Sequence, residues 1–227
     1  MKRCQEGFTL VEIAIVLVII GLLLGGILKG QEMIVQARIK SAIADFSGIS
    51  VAYHGYLDRY RAIPGDDRGA SRWPGATPGN GDGVLSGKYN EPAAASEPES
   101  RLWWSHLRYA GFIAGPGSSA EQPSNSFAGR IGVQTGDAGA PIKPVMDTSA
   151  AGVNGFAALI VCSANIPDKV AIAIDTQLDD GTHNTGSVRA QKQAGPNPDV
   201  RSYAGDAAAD RYVEDGATQY VVCRSPL

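Results

Sequence analysis

The chain has 227 residues, 44% of them hydrophobic, which is enough for one globular domain with an accessory segment. Its formal net charge is −3, from 20 Lys and Arg against 23 Asp and Glu, and neither sign forms a long run. This balance argues against electrostatic binding of nucleic acid, so no nucleic-acid partner is expected.

An apolar segment at residues 8–28 dominates the N-terminal part. Its 21 residues contain one charged side chain, Glu12, and match the length of a helix that crosses a bilayer. Lys2 and Arg3 precede it, and positive residues favour the cytoplasmic side, so the rest of the chain is expected to be exported. An uncleaved signal anchor is the simplest interpretation. Glu12 argues against it, because a carboxylate near the start of a span is costly in lipid and requires a partner or a role.

Three features follow one another at the start of the chain. They are Lys2 and Arg3, the run Gly7-Phe8-Thr9-Leu10-Val11-Glu12, and the unbroken apolar segment. Together they resemble the processing signature of type IV prepilins and of type II secretion pseudopilins, over roughly the first 30 residues. The resemblance implies a precursor held in the inner membrane and later assembled with copies of itself or with other pilins or pseudopilins.

The resemblance also implies roles for particular residues. A prepilin peptidase would cut between Gly7 and Phe8, so that residues 1–7 form a leader, which includes Cys4, and Phe8 becomes the N-methylated first residue. Glu12 would then be the fifth residue and would pair with the Phe8 amine of a neighbouring subunit, setting the axial register. A Glu12 side chain that simply snorkels to the headgroups is the alternative.

The end of the span departs from the commonest pilin pattern. Lys29 stands where many pilins have proline, and glycines occur at Gly21, Gly25, Gly26 and Gly30. Each interior glycine costs a helix about 0.5 to 1 kcal/mol relative to alanine, so the helix would unwind most easily here in a filament. Close packing of small residues between membrane helices is the other interpretation.

Residues 29–63 are predicted to continue the helix with one apolar face. Apolar side chains recur at three- and four-residue steps, with charged residues between them. The apolar members are Ile39, Ile43, Phe46, Ile49, Tyr53, Tyr56, Leu57 and Tyr60. Pro64 and Gly65 are stop signals, so the helix is expected to end near Ile63.

Residues 64–227 are predicted to form a globular head. Turn-forming residues dominate 64–89 and 91–99, which indicates long loops, and no firm element is predicted over 115–143. Residues 101–110 have the pattern of a short helix. The remaining segments with a regular pattern are the predicted strands 156–162, 170–174 and 218–223.

The predicted fold class is therefore α+β, with a long N-terminal helix packed against a C-terminal antiparallel sheet and long loops in the head. The stretches PGDD, GNGDG and WWSHLRYAGFI also resemble a subset of pilin-like proteins that have a large loop after the long helix. Cys162 and Cys223 fall in two predicted strands, and an oxidising compartment permits a disulfide between them. Closing this loop of about 60 residues would contribute roughly 4 kcal/mol in the chain-entropy model.

A calcium site is one interpretation of the acidic turns. Asn80 and Asp82 in GNGDG partly match a calcium loop, in which carboxylate and amide oxygens surround the cation. The full motif is absent, because Pro78 and Tyr89 stand at two ligand positions. Turn chemistry alone is the competing explanation. Other candidate oxygen donors are Asp66, Asp67, Asp175, Asp179 and Asp180.

An enzyme is not expected. The sequence contains no nucleophile elbow, phosphate loop or HExxH motif, and His54, His106 and His183 are widely separated. Apart from calcium, no cofactor is indicated.

The resemblance implies a structural subunit of a type IV pilus-like filament on the cell surface, serving adhesion, motility or a related function. A pseudopilin of a type II secretion system, located in the periplasm, is the closest alternative. A minor tip pilin that binds DNA or a surface through Trp73, Trp103 or Trp104 is a further one, although core packing also explains these side chains.

Overall fold

The computed structural model describes residues 9–138, 144–146, 155–200 and 211–226. It divides into two compact units, Met1–Lys40 and Ser41–Leu227. Helix α1 (Leu10–Tyr60) supplies the described part of the first unit, apart from Thr9, and its remaining residues belong to the second. The glycines of the apolar segment lie within α1, which is assigned as helix throughout its length.

The long helix predicted from the sequence is confirmed, and it ends at Tyr60, slightly before the expected stop. Arg61 adopts a φ of 53°, in the left-handed region, and its N–H donates to the Leu57 carbonyl at 2.9 Å. A left-handed residue directly after the last turn is a common helix terminator. The backbone therefore leaves the helix before Pro64 would force it to do so.

The part of α1 within the second unit buries one stripe of side chains. Phe46, Ile49, Tyr53 and Tyr56 are all buried, at steps of three and four residues. This is the periodicity of one face of a helix, and these four residues confirm the apolar face predicted from the sequence. The neighbouring Tyr60 is half-buried.

A loop-rich segment follows α1, as predicted. Its regular structure over residues 61–98 is a short 3-10 helix, Arg68–Arg72, which Asp67 caps by accepting the Gly69 N–H at 2.7 Å. Helix α2 (Glu99–Tyr109) comes next and matches the predicted short helix within two residues. Trp103 and Trp104 in α2 are fully buried, so both belong to the core.

The head contains a four-stranded antiparallel sheet formed by β1 (Ile131–Thr135), β2 (Leu159–Pro167), β3 (Val188–Lys192) and β4 (Gln219–Arg224). The strand order is β1-β2-β4-β3, so β2 and β4 are central. A long helix followed by this sheet confirms the predicted α+β fold. The predicted strands at 156–162 and 218–223 correspond to β2 and β4.

One predicted strand is wrong. Residues 170–174 lie in helix α3 (Asp168–Leu178), which follows β2 directly after Pro167. Val170, Ala171 and Ile174 are buried on one side of α3, a helical spacing that was present in the sequence. The β-branched composition favoured a strand, but burial of this face against the sheet decides for the helix.

Both faces of the sheet are covered. On one face, Ile160, Cys162 and Val221 belong to a buried cluster, while Val161 and Val222, which alternate with them, are buried on the other. Cys162 and Cys223 are directly opposite each other in the β2–β4 register and are joined by a disulfide, with their Cα atoms 4.0 Å apart. The disulfide thus crosses the two central strands.

Candidate functional site

The N-terminal part of α1 exposes apolar side chains on all sides. From Leu10, which is 87% exposed, to Leu28, every large hydrophobic residue is exposed within the first unit. Among the described residues, α1 is the helix that is long and apolar enough to cross a membrane. So much exposed apolar surface on a helix requires lipid or other protein around it.

Glu12 lies in the first turn of this helix and is bonded to Thr9. The Thr9 N–H and hydroxyl both donate to Oε2 of Glu12 at 2.8 Å, and the Glu12 N–H donates to the Thr9 hydroxyl at 3.3 Å. This reciprocal arrangement is a capping box, which satisfies backbone N–H groups that the helix start leaves open. Oε1 of Glu12 accepts no hydrogen bond from the described residues. The predicted processing residues Gly7 and Phe8 lie outside them.

Thr9 is a site residue that the sequence reasoning missed. Its signal was available, because Thr9 and Glu12 have the T-x-x-E spacing of a capping box ahead of an apolar run. The capping role also gives Glu12 a local partner, so this carboxylate is partly satisfied before any subunit contact forms.

A first acidic cluster joins three carboxylates of the loop segment. Oxygen atoms of Asp66, Asp82 and Glu99 lie within 4.8 Å of one another. Asp66 is buried, and its carboxylate accepts the N–H groups of Gly81 at 2.5 Å, Asp82 at 3.1 Å and Gly83 at 2.8 Å. Burial raises the pKa of Asp66, and these backbone donors oppose the rise.

The buried Glu99 anchors the same loop, because its two oxygens accept the N–H groups of Asn80 and Ser86, each at 2.9 Å. Asn80 and Asp82 bond each other in an Asx-type turn, with the Asp82 N–H donating to the Asn80 side-chain oxygen at 2.8 Å. The structure therefore places Asp82 beside Asp66, two residues that the sequence analysis named separately, and adds Glu99, for which the sequence held no local signal. These bonds account for the carboxylates as loop anchors, and the calcium site at Asn80 and Asp82 stays a prediction.

Asp67 does not join this cluster. Its carboxylate accepts the Tyr56 hydroxyl hydrogen bond at 2.6 Å and forms an ion pair with Arg72 at 2.7 Å. Asp67 therefore connects the end of α1 to the 3-10 helix. Burial alone would raise the pKa of Asp67, but the Arg72 and Tyr56 bonds outweigh it and hold that pKa below its usual value. Burial and the bond to Asp67 raise the pKa of Tyr56.

A second acidic cluster lies at the end of α3, where the sequence also placed one. Asp175, Asp179 and Asp180 have oxygens within 4.8 Å of one another. Burial raises the pKa of Asp175, whose carboxylate accepts the Tyr212 hydroxyl at 2.6 Å. Asp180 accepts the Thr182 N–H of the following turn at 2.8 Å, and Asp179 accepts the N–H of Val188, at the start of β3, at 2.9 Å. Both acidic clusters thus consist of carboxylates that hold turns.

The tryptophans and histidines provide no catalytic grouping among the described residues. Trp103 and Trp104 are buried, whereas Trp73 is half-buried and stacks on Tyr109 with ring centroids 5.8 Å apart. His106 is buried in α2 and His54 bonds the Pro226 carbonyl at 2.9 Å. His183 lies 5.9 Å from the Tyr212 ring.

Comparison with known proteins bears on the first 28 residues. Residues 2–28 match the family model described as the prokaryotic N-terminal methylation motif, which is the signature of type IV pilins and pseudopilins. No curated protein and no solved structure matches the chain. The matched residues include the described start of α1, where Glu12 and the exposed apolar side chains lie.

Proposed function

We propose that this chain is the structural subunit of a type IV pilus-like filament, made as a membrane-held precursor and assembled through the N-terminal part of α1. One observation carries the proposal: the methylation motif at residues 2–28 coincides with a helix segment whose apolar side chains are exposed on all sides. The segment fits a bilayer before assembly. In a filament, the same side chains would be covered by helices of neighbouring copies.

The geometry of Glu12 supports its proposed pairing with a neighbouring subunit. After cleavage behind Gly7, Phe8 would carry a free amine, and a carboxylate inside an apolar helix bundle would need a positive partner. Thr9 occupies Oε2 of Glu12 and leaves Oε1 to accept from a neighbour. The capping box would thus orient the carboxylate while the Phe8 amine neutralises it.

A pseudopilin of a type II secretion system is the second candidate, because the same N-terminal motif serves both classes. A minor tip subunit that binds DNA or a surface has less support. Its proposed contact residues Trp103 and Trp104 are buried, which leaves the half-buried Trp73.

The deciding experiment is mass spectrometry of filaments sheared from the native cell. The expected result is an abundant chain that begins at N-methylated Phe8. A processed chain found only in the envelope would favour the pseudopilin, and an intact Met1 chain would refute the proposal.

A matched pair of variants tests the assembly step. We expect Glu12→Gln to be processed normally but to give few or no filaments, since the amine would lose its counter-charge. Asp58→Asn removes another carboxylate of α1, one that is exposed and forms a 3.5 Å ion pair with Arg61, and should assemble like the wild type. Equal filament yields from both variants would contradict the role of Glu12.

A further inference from the structure

The head contains an apolar groove beside α1. It has a volume of about 330 Å³ and is lined by residues of α1, of the loops on either side of residue 120, and of β1. The apolar lining residues are Ala44, Ile49, Phe112, Ile113, Pro123 and Ile131. Gly48 lies on the α1 side and has open space where a side chain would stand, so a neighbouring segment can approach the helix closely there.

Asp45 is the charged residue of this groove. Its side chain is half-buried, and among the described residues it has no hydrogen-bond or ion-pair partner. Burial raises its pKa. The buried carboxylates Asp66, Asp67 and Asp175 all accept hydrogen bonds, so Asp45 differs from them. A partly desolvated carboxylate without a partner is unfavourable, and a cation entering the groove would relieve that cost.

The first unit presents a surface of matching chemistry. Lys40 is exposed and has no hydrogen-bond or ion-pair partner among the described residues. Met33, Gln36 and Ala37 precede it at helical spacing, so the four residues share one face of α1, and Met33 is 65% exposed. This face lies beyond the 8–28 segment that a bilayer would cover, so its exposed Met33 and Ala37 side chains are accessible to a protein neighbour.

Resting on the proposed filament function, we propose that the groove of one copy receives the Met33–Lys40 face of a second copy, with the Lys40 ammonium meeting the Asp45 carboxylate. Within one chain these residues are five apart in α1, and residues at that spacing do not face each other on a helix. The groove and the Met33–Lys40 face are different surfaces of one chain, so the contact is heterologous. A heterologous contact that does not close into a ring generates an open helical filament.

Charge reversal tests the pairing. Asp45→Lys and Lys40→Glu are each expected to lower the yield of sheared filaments at least about tenfold, because one reversed partner places like charges together. The double variant should restore the yield to about that of the wild type. The matched control Asp58→Lys reverses an exposed charge elsewhere on α1 and should assemble normally.

Cross-linking keeps the test valid where a charge variant misfolds. Cleavage after Gly7 would remove Cys4, and Cys162 and Cys223 are joined to each other, so the mature chain would have no free thiol. Lys40→Cys with Asp45→Cys in one chain should form a disulfide-linked ladder of multimers in filaments but not in detergent-dispersed subunits. Lys40→Cys with Asp58→Cys is the control and should form no ladder.

The outcomes separate the two proposals. This inference would be overturned, with the filament function intact, by three results together. The wild type would form filaments with methylated Phe8, the single charge variants would assemble equally well, and no ladder would form. Loss of assembly in Asp45→Lys without rescue by Lys40→Glu, again with no ladder, would mean that the groove has a different occupant, and would also overturn it. A wild-type chain that remains unprocessed would overturn both proposals.

Discussion

Acid is expected to destabilise the head through His106, which is fully buried in α2. The Gly65 N–H donates to its Nδ1 at 2.8 Å, and its Nε2 lies 2.8 Å from the Thr77 carbonyl oxygen. A carbonyl only accepts, so Nε2 must carry the proton and Nδ1 must be bare. A second proton on Nδ1 would point at the Gly65 N–H and break that bond, releasing the loop between Gly65 and Thr77.

Burial lowers the pKa of His106 below its ordinary value, and Arg72 adds to the effect, while the Thr77 bond, Asp67 and Glu99 oppose it. The unfolded chain therefore binds this proton at higher pH than the folded chain does. Stability is fully present above about pH 6.5, the ordinary histidine pKa, and is lost as the pH falls below it. The loss amounts to about 1.4 kcal/mol per pH unit until the folded pKa is reached.

Urea unfolding of the full chain in detergent, followed by the fluorescence of the buried Trp103 and Trp104, measures this loss between pH 7.5 and 5. His106→Asn is the control, because it keeps an acceptor near Gly65 but does not titrate. We expect it to be about 1 to 3 kcal/mol less stable at pH 7.5, since the Thr77 carbonyl loses its donor. The difference in unfolding free energy between this variant and the wild type should become smaller as the pH falls. If the difference in unfolding free energy between the wild type and His106→Asn stays constant across this range, the assignment is refuted. Asp66 and Asp175 have raised pKa values and contribute in the opposite direction, but they are present in both proteins, so their contributions cancel in this difference.

Four further predictions concern stability. Replacing both Cys162 and Cys223 with serine should lower the free energy of unfolding by about 4 kcal/mol relative to the disulfide-bonded wild type, as measured by urea titration. The reduced wild type is the control and should lose the same amount. Thr9→Ala should lower the stability of the first turn of α1 by about 1 kcal/mol, which corresponds to roughly fivefold faster hydrogen exchange of the amides there. Unchanged exchange would contradict the capping box. Gly132→Ala places its Cβ 1.9 Å from a backbone carbonyl oxygen and should cost at least about 2 kcal/mol. Gly48→Ala, with open space in a helix, should instead stabilise the unassembled subunit by about 0.5 to 1 kcal/mol in the same titration.

Much of the fold could be predicted because several segments carry strong local signals. The apolar run and the later three- and four-residue periodicity define α1, and Pro64 predicts an end close to the observed one at Tyr60. Short β-rich runs identify β2 and β4, and their cysteines anticipate the disulfide. The capping box at Thr9 and Glu12 was equally local and could have been recognised in the same way.

Tertiary structure decided what depends on residues distant in sequence. Burial of one face turned residues 170–174 into part of α3, against their β-branched composition, and pairing with β2 and β4 created β1 and β3 from weak local patterns. Glu99 joins Asp66 only because the intervening loop folds back and directs its N–H groups at both carboxylates. Asp45 likewise lies in a groove lined by residues distant in sequence, and among the described residues it has no hydrogen-bond or ion-pair partner. Local propensity and periodicity determine elements, whereas burial and long-range hydrogen bonds, which no short sequence window contains, determine how those elements form sites.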